Sequence, residues 1–218
     1  MKNNIIHNFL NIDEVNLIKE TIAKELSSRE RLSATDNGHF LNYKQEDFSI
    51  VTDEMGRITL REIDLPDDII NKFNILAKKI AVEHGYSEPV LEAKPVFTEY
   101  SLEFGEPKLP PHTDLGKSNF LLDYQIYSNI DWGLVIDGTY YPKQDNDVAN
   151  IFNKNQLHYR PFRLFNTGEV VGVMFFNYYI NNIEESTITE SDVHLANKEF
   201  NHALRHIKEA AGLEVNFE

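Results

Sequence analysis

A short motif in the middle of the chain carries residue types that bind metal ions. His112 and Asp114 are separated by one residue and follow the strand predicted around Tyr100. In an extended segment residues i and i+2 point to the same side, so the pair can present an imidazole nitrogen and a carboxylate to one ion. A His-x-Asp triplet is common by chance, and a surface histidine beside an acidic residue is the alternative interpretation.

His158 is the candidate for a third ligand. Three strand-like runs, at residues 119–127, 132–136 and 148–152, separate it from Asp114. Several antiparallel strands can bring His158 back beside the first two ligands. Two histidines and one carboxylate on one face leave three adjacent coordination positions open, which is the arrangement associated with non-haem Fe(II) oxygenases.

Helical periodicity precedes and follows the strand-rich part of the chain. Helices are predicted over residues 12–26, 67–84 and 190–211, and a hairpin over residues 48–52 and 57–63. These elements predict one domain over residues 1–218, with N-terminal helical support over about 1–90, a β core over about 90–180 and a C-terminal helix over about 190–211. Helices segregated from mostly antiparallel strands are typical of an α+β fold with a sandwich or barrel core.

Composition excludes several classes of function. The chain has 21 Lys and Arg against 35 Asp and Glu, a net charge of −14, so we expect neither nucleic acid nor a membrane surface as a partner. It has no cysteine, which excludes disulfides, thiolate metal sites and a cysteine nucleophile. Any metal must therefore sit on His, Asp or Glu. No run is typical of a signal peptide or a membrane helix, and we expect a cytoplasmic protein.

Residues 96–178 resemble the Fe(II)/2-oxoglutarate-dependent oxygenases, and most of all their prolyl-hydroxylase-like small domains. The resemblance is carried by Tyr100, a Gly-Glu-Pro turn at Gly105, the His-Thr-Asp triplet, Trp132-Gly133 and an apolar strand over residues 170–176 after a turn at Gly168. The family implies an α+β fold whose core is a double-stranded β-helix of the jelly-roll or cupin-like kind, buttressed by the flanking helices.

The same resemblance implies a metal site and a reaction. Fe(II) would be bound by His112, Asp114 and His158, and 2-oxoglutarate and O2 would be the cosubstrates. Oxidative decarboxylation of 2-oxoglutarate to succinate and CO2 would be coupled to hydroxylation of an amino acid, a peptide or protein side chain, or a small metabolite. The retained carboxylate of Asp114 argues against halogenation, because related halogenases replace it with a small residue.

One departure from the family concerns the distal carboxylate of 2-oxoglutarate. A basic residue usually meets it on the strand after the distal histidine, but residues 168–173 contain none. Arg160 and Arg163 are the nearest candidates, and Arg160 is favoured because it is two residues from His158 and so on the same side of a strand. Tyr100 and Tyr124 are candidate hydroxyl donors to the cosubstrate.

The missing basic residue keeps two other classes of function open. A cupin-like metal enzyme would share the strands and the ligands without using 2-oxoglutarate. A non-catalytic binding module with a degenerate site would bind a ligand without turnover. The acidic composition of the chain favours a neutral or cationic substrate.

Overall fold

The structure, a computed structural model, describes residues 5–29, 31–33, 50–53, 55–114, 118–151, 156–183 and 187–215. The described chain forms thirteen β-strands and three α-helices. The strands are β1 (Ile5–Ile6), β2 (Arg31–Ser33), β3 (Ile50–Asp53), β4 (Arg57–Leu60), β5 (Val90–Leu91), β6 (Val96–Ser101), β7 (Leu109–His112), β8 (Phe120–Ser128), β9 (Leu134–Ile136), β10 (Thr139–Tyr141), β11 (Asp147–Ile151), β12 (His158–Arg160) and β13 (Val170–Tyr179). The helices are α1 (Ile12–Ser28), α2 (Asp67–Glu83) and α3 (Glu190–Ala210).

The strands form two sheets. The large sheet has the order β1-β11-β8-β13-β6-β4-β3-β2, with β5 paired to β13 beyond the end of β6. The small sheet has the order β10-β9-β12-β7. All pairs are antiparallel except β2 with β3. Helices lie before and after a strand-rich middle, so the predicted α+β class, with antiparallel sheets and helices at both ends, is confirmed.

The helices begin where their capping residues predict. Asn11 and Glu14 form a capping box at the start of α1, and Thr189 and Asp192 form one at the start of α3. Helix α2 follows Pro66, whose fixed backbone angle suits a helix start. The predicted helix ends are within two residues of the observed ones. Within the described ranges, no helix combines the length and the apolar character needed to cross a membrane.

Helices cover the outer face of each sheet. Ile18 and Ile22 of α1 and Phe73 of α2 are almost fully buried in one apolar cluster against the large sheet, where Phe73 stacks on Phe176 of β13 with ring centroids 3.8 Å apart. Helix α3 covers the small sheet through a separate cluster. Its buried members are Phe162, Phe200 and Leu204. Burial of these apolar side chains holds the helices on the sheets.

The N-terminal third contributes strands as well as helices. Strand β4 pairs with β6 and extends the large sheet, with Arg57 opposite Tyr100 and Thr59 opposite Thr98. The pairing covers an edge of β6 that would otherwise expose unpaired backbone groups. It also places Arg57 on the same side of the sheet as Tyr100, because residues paired across two strands face the same way.

The inner faces of the two sheets pack against each other. Leu109 of β7 and Leu134 of β9, in the small sheet, share an apolar cluster with Leu121 of β8, in the large sheet. A second cluster joins Tyr100 and Val173 of the large sheet to Trp132 and to neighbouring residues. Apolar side chains therefore line part of the space between the sheets, and the residues described below project into it or lie at its rim.

Candidate metal centre

Pairing between β7 and β12 brings the three predicted metal ligands together. His158 lies directly opposite His112, and the two ring centroids are 4.2 Å apart. Asp114 follows β7 by two residues, and its two carboxylate oxygens lie 3.8 Å from Nε2 of His112 and 3.8 Å from Nε2 of His158. The ligand atoms of all three residues lie within 4.8 Å of one another. Among the described residues, no other group of three His, Asp or Glu side chains is arranged to hold an ion.

Backbone carbonyls orient both imidazoles in the same way. Nδ1 of His112 is 2.8 Å from the carbonyl oxygen of Pro110, and Nδ1 of His158 is 3.0 Å from that of Gln156. A carbonyl oxygen only accepts, so Nδ1 carries the proton and donates it in each case. Nε2 of each ring then has its lone pair free and faces Asp114, which is the state a metal ligand requires.

The cluster is buried on one side and open on the other. His158 is buried, whereas 37% of the His112 side chain and 40% of the Asp114 side chain are exposed. Desolvation, followed by the proximity of His158, lowers the pKa of His112 to about 4. The imidazole of His112 is therefore neutral at neutral pH and available to a cation. The open side leaves room for other ligands of the same ion.

The donor set fits a divalent transition metal. Imidazole nitrogen and carboxylate oxygen bind such ions at roughly 2.1 Å, which puts two adjacent donors roughly 3 Å apart. The separations of 3.8 Å to Asp114 differ from this by less than about 1 Å, within the reach of a small side-chain rotation.

Arg160 projects into the space between the sheets, on the same side of β12 as His158. Both residues are buried, while the intervening Tyr159 faces α3, where its ring lies 6.2 Å from that of Phe200. Nη1 of Arg160 donates to the carbonyl oxygen of Trp132, and its guanidinium carbon is 5.2 Å from the centre of the Trp132 ring. Arg160 is thus a buried cation on the same face of β12 as His158.

Arg163 is engaged elsewhere. Its Nη2 donates to both carboxylate oxygens of Glu169, at 3.0 and 3.1 Å, and its Nη1 donates to the carbonyl oxygen of Asp131. This ion pair lies on the segment between β12 and β13 and holds the guanidinium beside Glu169. The structure therefore places the Arg163 side chain beside Glu169 and Asp131.

Tyr100 and Tyr124 lie on opposite faces of the large sheet. Tyr100 faces inward, where its hydroxyl accepts a 3.0 Å hydrogen bond from Nη1 of Arg57. Tyr124 faces the helices. Its ring packs edge-on against Phe73 at 5.2 Å, and its hydroxyl donates to Oδ1 of Asn146. The structure thus does not bring Tyr124 to the metal cluster, because it stands on β8 at a position that points away from the space between the sheets.

Three inward-facing charged residues carry no clear sequence signal. Arg57 is 8% exposed, and its charge is one of the influences that lower the pKa of His112, after burial and His158. Asp123 of β8 accepts a 2.6 Å hydrogen bond from Nζ of Lys143, and both side chains are almost fully buried. One sequence signal for Asp123 is the alternation of β8, because Asp123 and Gln125 are polar residues that alternate with the apolar or aromatic Leu122, Tyr124 and Ile126.

Comparisons with known proteins support the fold. No protein-family model and no curated protein matches the sequence. The epimerase SnoN, solved in complex with Fe3+, alpha ketoglutarate and nogalamycin RO, superposes with a TM-score of 0.57 at 11% identity, over 81% of this chain and 78% of that chain. AviO1 from Streptomyces viridochromogenes Tue57 gives a TM-score of 0.54 at 11% identity, over 86% and 92% of the two chains.

A prolyl hydroxylase from Trichoplax adhaerens, in complex with a hypoxia inducible factor peptide fragment, gives a TM-score of 0.53 at 9% identity, over 81% of this chain and 83% of that chain. These likenesses show that the chain has the fold of Fe(II)/2-oxoglutarate oxygenases, as the sequence resemblance predicts. SnoN also holds the metal and the cosubstrate that the resemblance implies.

Proposed function

We propose that the protein is an Fe(II)- and 2-oxoglutarate-dependent dioxygenase. The observation that carries the proposal is the cluster of His112, Asp114 and His158, with both Nε2 atoms turned towards the carboxylate and one side open. The reaction we favour is hydroxylation of an amino acid, a peptide or protein side chain, or a small metabolite, with succinate and CO2 as coproducts.

We infer that strands β6 to β13 form a double-stranded β-helix within a single domain over residues 1–218. Four of the eight strands, in the order β6-β13-β8-β11, lie in the large sheet, and the other four, in the order β7-β12-β9-β10, form the small sheet. The chain passes between the sheets at almost every connection. This wrapping supports the inference, because it makes the end of β7 and the start of β12 neighbours at one rim of the core.

Different residues of the chain would bind the iron, orient its ligands and line the site. His112, Asp114 and His158 would hold the iron, and the carbonyls of Pro110 and Gln156 would keep the imidazoles in the binding tautomer. Bound iron, together with 2-oxoglutarate and O2, supplies the oxidising power for attack on a C–H bond. The apolar clusters between the sheets would limit the access of water on the buried side of the three ligands.

Arg160 is our candidate for the residue that binds the distal carboxylate of 2-oxoglutarate. It is cationic, 1% exposed and two residues from His158 on the same face of β12. A guanidinium offers the paired donors that a carboxylate accepts. The Tyr100 hydroxyl, on the facing sheet, is our candidate for a second contact.

Peptide and small-molecule substrates are both compatible with this fold. The Trichoplax prolyl hydroxylase is complexed with a peptide fragment, and SnoN is complexed with nogalamycin RO. SnoN is also an epimerase, so the same fold serves at least one reaction other than hydroxylation. The partly exposed side of His112 and Asp114 is where a substrate of either kind would approach.

Succinate formation tests the proposal. Protein loaded with Fe(II) is incubated for a long period with excess 2-oxoglutarate in air, so that slow decarboxylation without a substrate accumulates succinate. Succinate is measured for wild type, His112→Ala, His158→Ala and the control His202→Ala, which lies on the exposed face of α3. Wild type and the control should release succinate. In both ligand variants the rate of succinate formation should fall at least about 1000-fold, while their melting temperatures stay close to that of wild type. Turnover like that of wild type in either ligand variant contradicts the proposal. Iron binding without succinate in wild type favours the cupin-like or binding-module alternatives.

A further inference from the structure

A compact group of buried charges lies between the sheets beside the proposed carboxylate anchor. Asp123 of β8 is flanked by Lys143, from the segment between β10 and β11, and by Arg160 of β12. The side chains are 2%, 0% and 1% exposed. Two cations thus share one carboxylate in an environment where water cannot compensate a charge. Buried charges are costly unless they are paired, so it matters which of the two cations Asp123 pairs with more closely.

Asp123 pairs much more closely with Lys143 than with Arg160. Nζ of Lys143 donates to Oδ1 of Asp123 at 2.6 Å and to its backbone oxygen at 3.2 Å. Nη2 of Arg160 lies 3.7 Å from Oδ2, which is beyond hydrogen-bond distance. The hydrogen bond that Arg160 does make is to the neutral carbonyl of Trp132. Asp123 is therefore closely paired with Lys143, and the positive charge of Arg160 is only weakly compensated by it.

We infer that Lys143 is a positioning residue that holds Asp123 away from Arg160 and so keeps the guanidinium available to the carboxylate of the cosubstrate. This inference rests on the proposed function. A carboxylate left without Lys143 would close on Arg160 as a bidentate pair, the strongest arrangement open to it. An incoming carboxylate would then have to displace Asp123, or meet its negative charge.

The surroundings of Lys143 support this role. Nε2 of Gln125 donates to its backbone oxygen at 3.3 Å, which fixes the segment with the side chain pointing inward. Asp147 of β11 is a second buried carboxylate that influences Lys143, and it is held by different donors. Its Oδ2 accepts from the backbone N–H of Gln144 at 3.0 Å and lies 3.1 Å from Nδ1 of His7.

Burial of Lys143 also makes its charge, and hence the predicted binding of 2-oxoglutarate, depend on pH. Desolvation lowers its pKa to about 8; Asp123 and Asp147 oppose that shift and Arg160 adds to it. Lys143 is charged at neutral pH and loses its proton as the pH rises through about 8. Asp123 would then be released towards Arg160, so 2-oxoglutarate should bind more weakly above this pH than below it.

Titration of 2-oxoglutarate into the Mn(II)-loaded protein by calorimetry tests the inference. The set is wild type, Lys143→Met, Asp123→Asn and the double variant, with Mn(II) affinity measured for each as a check on the metal centre. Lys143→Met should raise the Kd for 2-oxoglutarate at least about tenfold. Asp123→Asn alone should not weaken binding, and adding it to Lys143→Met should restore the Kd to within about threefold of wild type. A purely structural role for Lys143 would show no such rescue.

The outcomes separate this inference from the proposed function. If metal-loaded wild type does not bind 2-oxoglutarate, both are overturned. If wild type binds it and Lys143→Met either leaves the Kd unchanged or weakens binding without rescue by Asp123→Asn, the inference alone is overturned. The pH profile decides the matter if Lys143→Met does not fold. The Kd should rise above about pH 8 in wild type and stay level in Asp123→Asn, and equal profiles overturn the inference.

Discussion

The two faces of strand β8 differ in chemistry although their residues alternate along one strand. The residues that face the helices are apolar or aromatic and belong to the large core cluster. They are Phe120, Leu122, Tyr124 and Ile126. The residues that face the small sheet include Asp123 and Gln125, which contact Lys143. One face stabilises the domain and the other carries charges that a ligand can use, so substitutions on the two faces should have separable effects.

The largest expected effect is a loss of stability from a substitution in the core on the helix-facing side of the large sheet. Phe73 is fully buried and stacks on Phe176, so Phe73→Ala removes an aromatic ring from the centre of the cluster. The free energy of unfolding should fall by about 3 to 5 kcal/mol, measured by urea denaturation. At a temperature where the variant is folded, its Kd for 2-oxoglutarate should match that of wild type. A large rise in that Kd would show that the two faces are not separable.

The next effect lies on the inward face. Arg160→Gln should weaken 2-oxoglutarate binding by about 30-fold or more, because it removes the charge-assisted pair with the carboxylate. Asp123 keeps its pair with Lys143 in this variant, so the fold should persist. Arg163→Gln is the matched control, since its guanidinium is bound to Glu169. A larger loss in Arg163→Gln than in Arg160→Gln would move the anchor to Arg163.

The smallest expected effects come from removing the hydroxyl groups of Tyr124 and Tyr100, which lie on opposite faces of the large sheet. Tyr124→Phe removes the hydrogen bond to Asn146 and should cost about 1 kcal/mol of unfolding free energy while leaving the Kd for 2-oxoglutarate unchanged. Tyr100→Phe should raise that Kd by a few fold, because its hydroxyl lies on the inward face beside Arg57. The opposite pattern, with Tyr124→Phe affecting the Kd, would put Tyr124 in the cosubstrate site.

Local sequence rules predict the parts of the site that lie on one strand. The shared face of His158 and Arg160 on β12 follows from the i, i+2 rule, and the same rule predicts the pairing of His112 with Asp114, although β7 ends at His112. The helix starts follow from capping residues, because those contacts are made within three residues of chain. Applied to β8, the same alternation separates Tyr124 from the inward-facing Asp123.

The remaining features depend on contacts between distant parts of the chain. Lys143 is 20 residues from Asp123, and Arg57 is 43 residues from Tyr100, so neither pairing appears in a local pattern. Both depend on the register of the large sheet and on the path of the connecting segments. The addition of β4 to that sheet is of the same kind, because the sequence predicts the hairpin but not the strand it joins.

The central claim, that His112, Asp114 and His158 hold an Fe(II) ion that 2-oxoglutarate can chelate, is tested most directly by a spectrum recorded without oxygen. Fe(II) and then 2-oxoglutarate are added to the protein, and the weak visible charge-transfer band of an iron-bound 2-oxo acid is measured. We predict the band in wild type and in His202→Ala, and its loss in His158→Ala. A band that persists in His158→Ala, or iron binding by wild type without any band, would contradict the account.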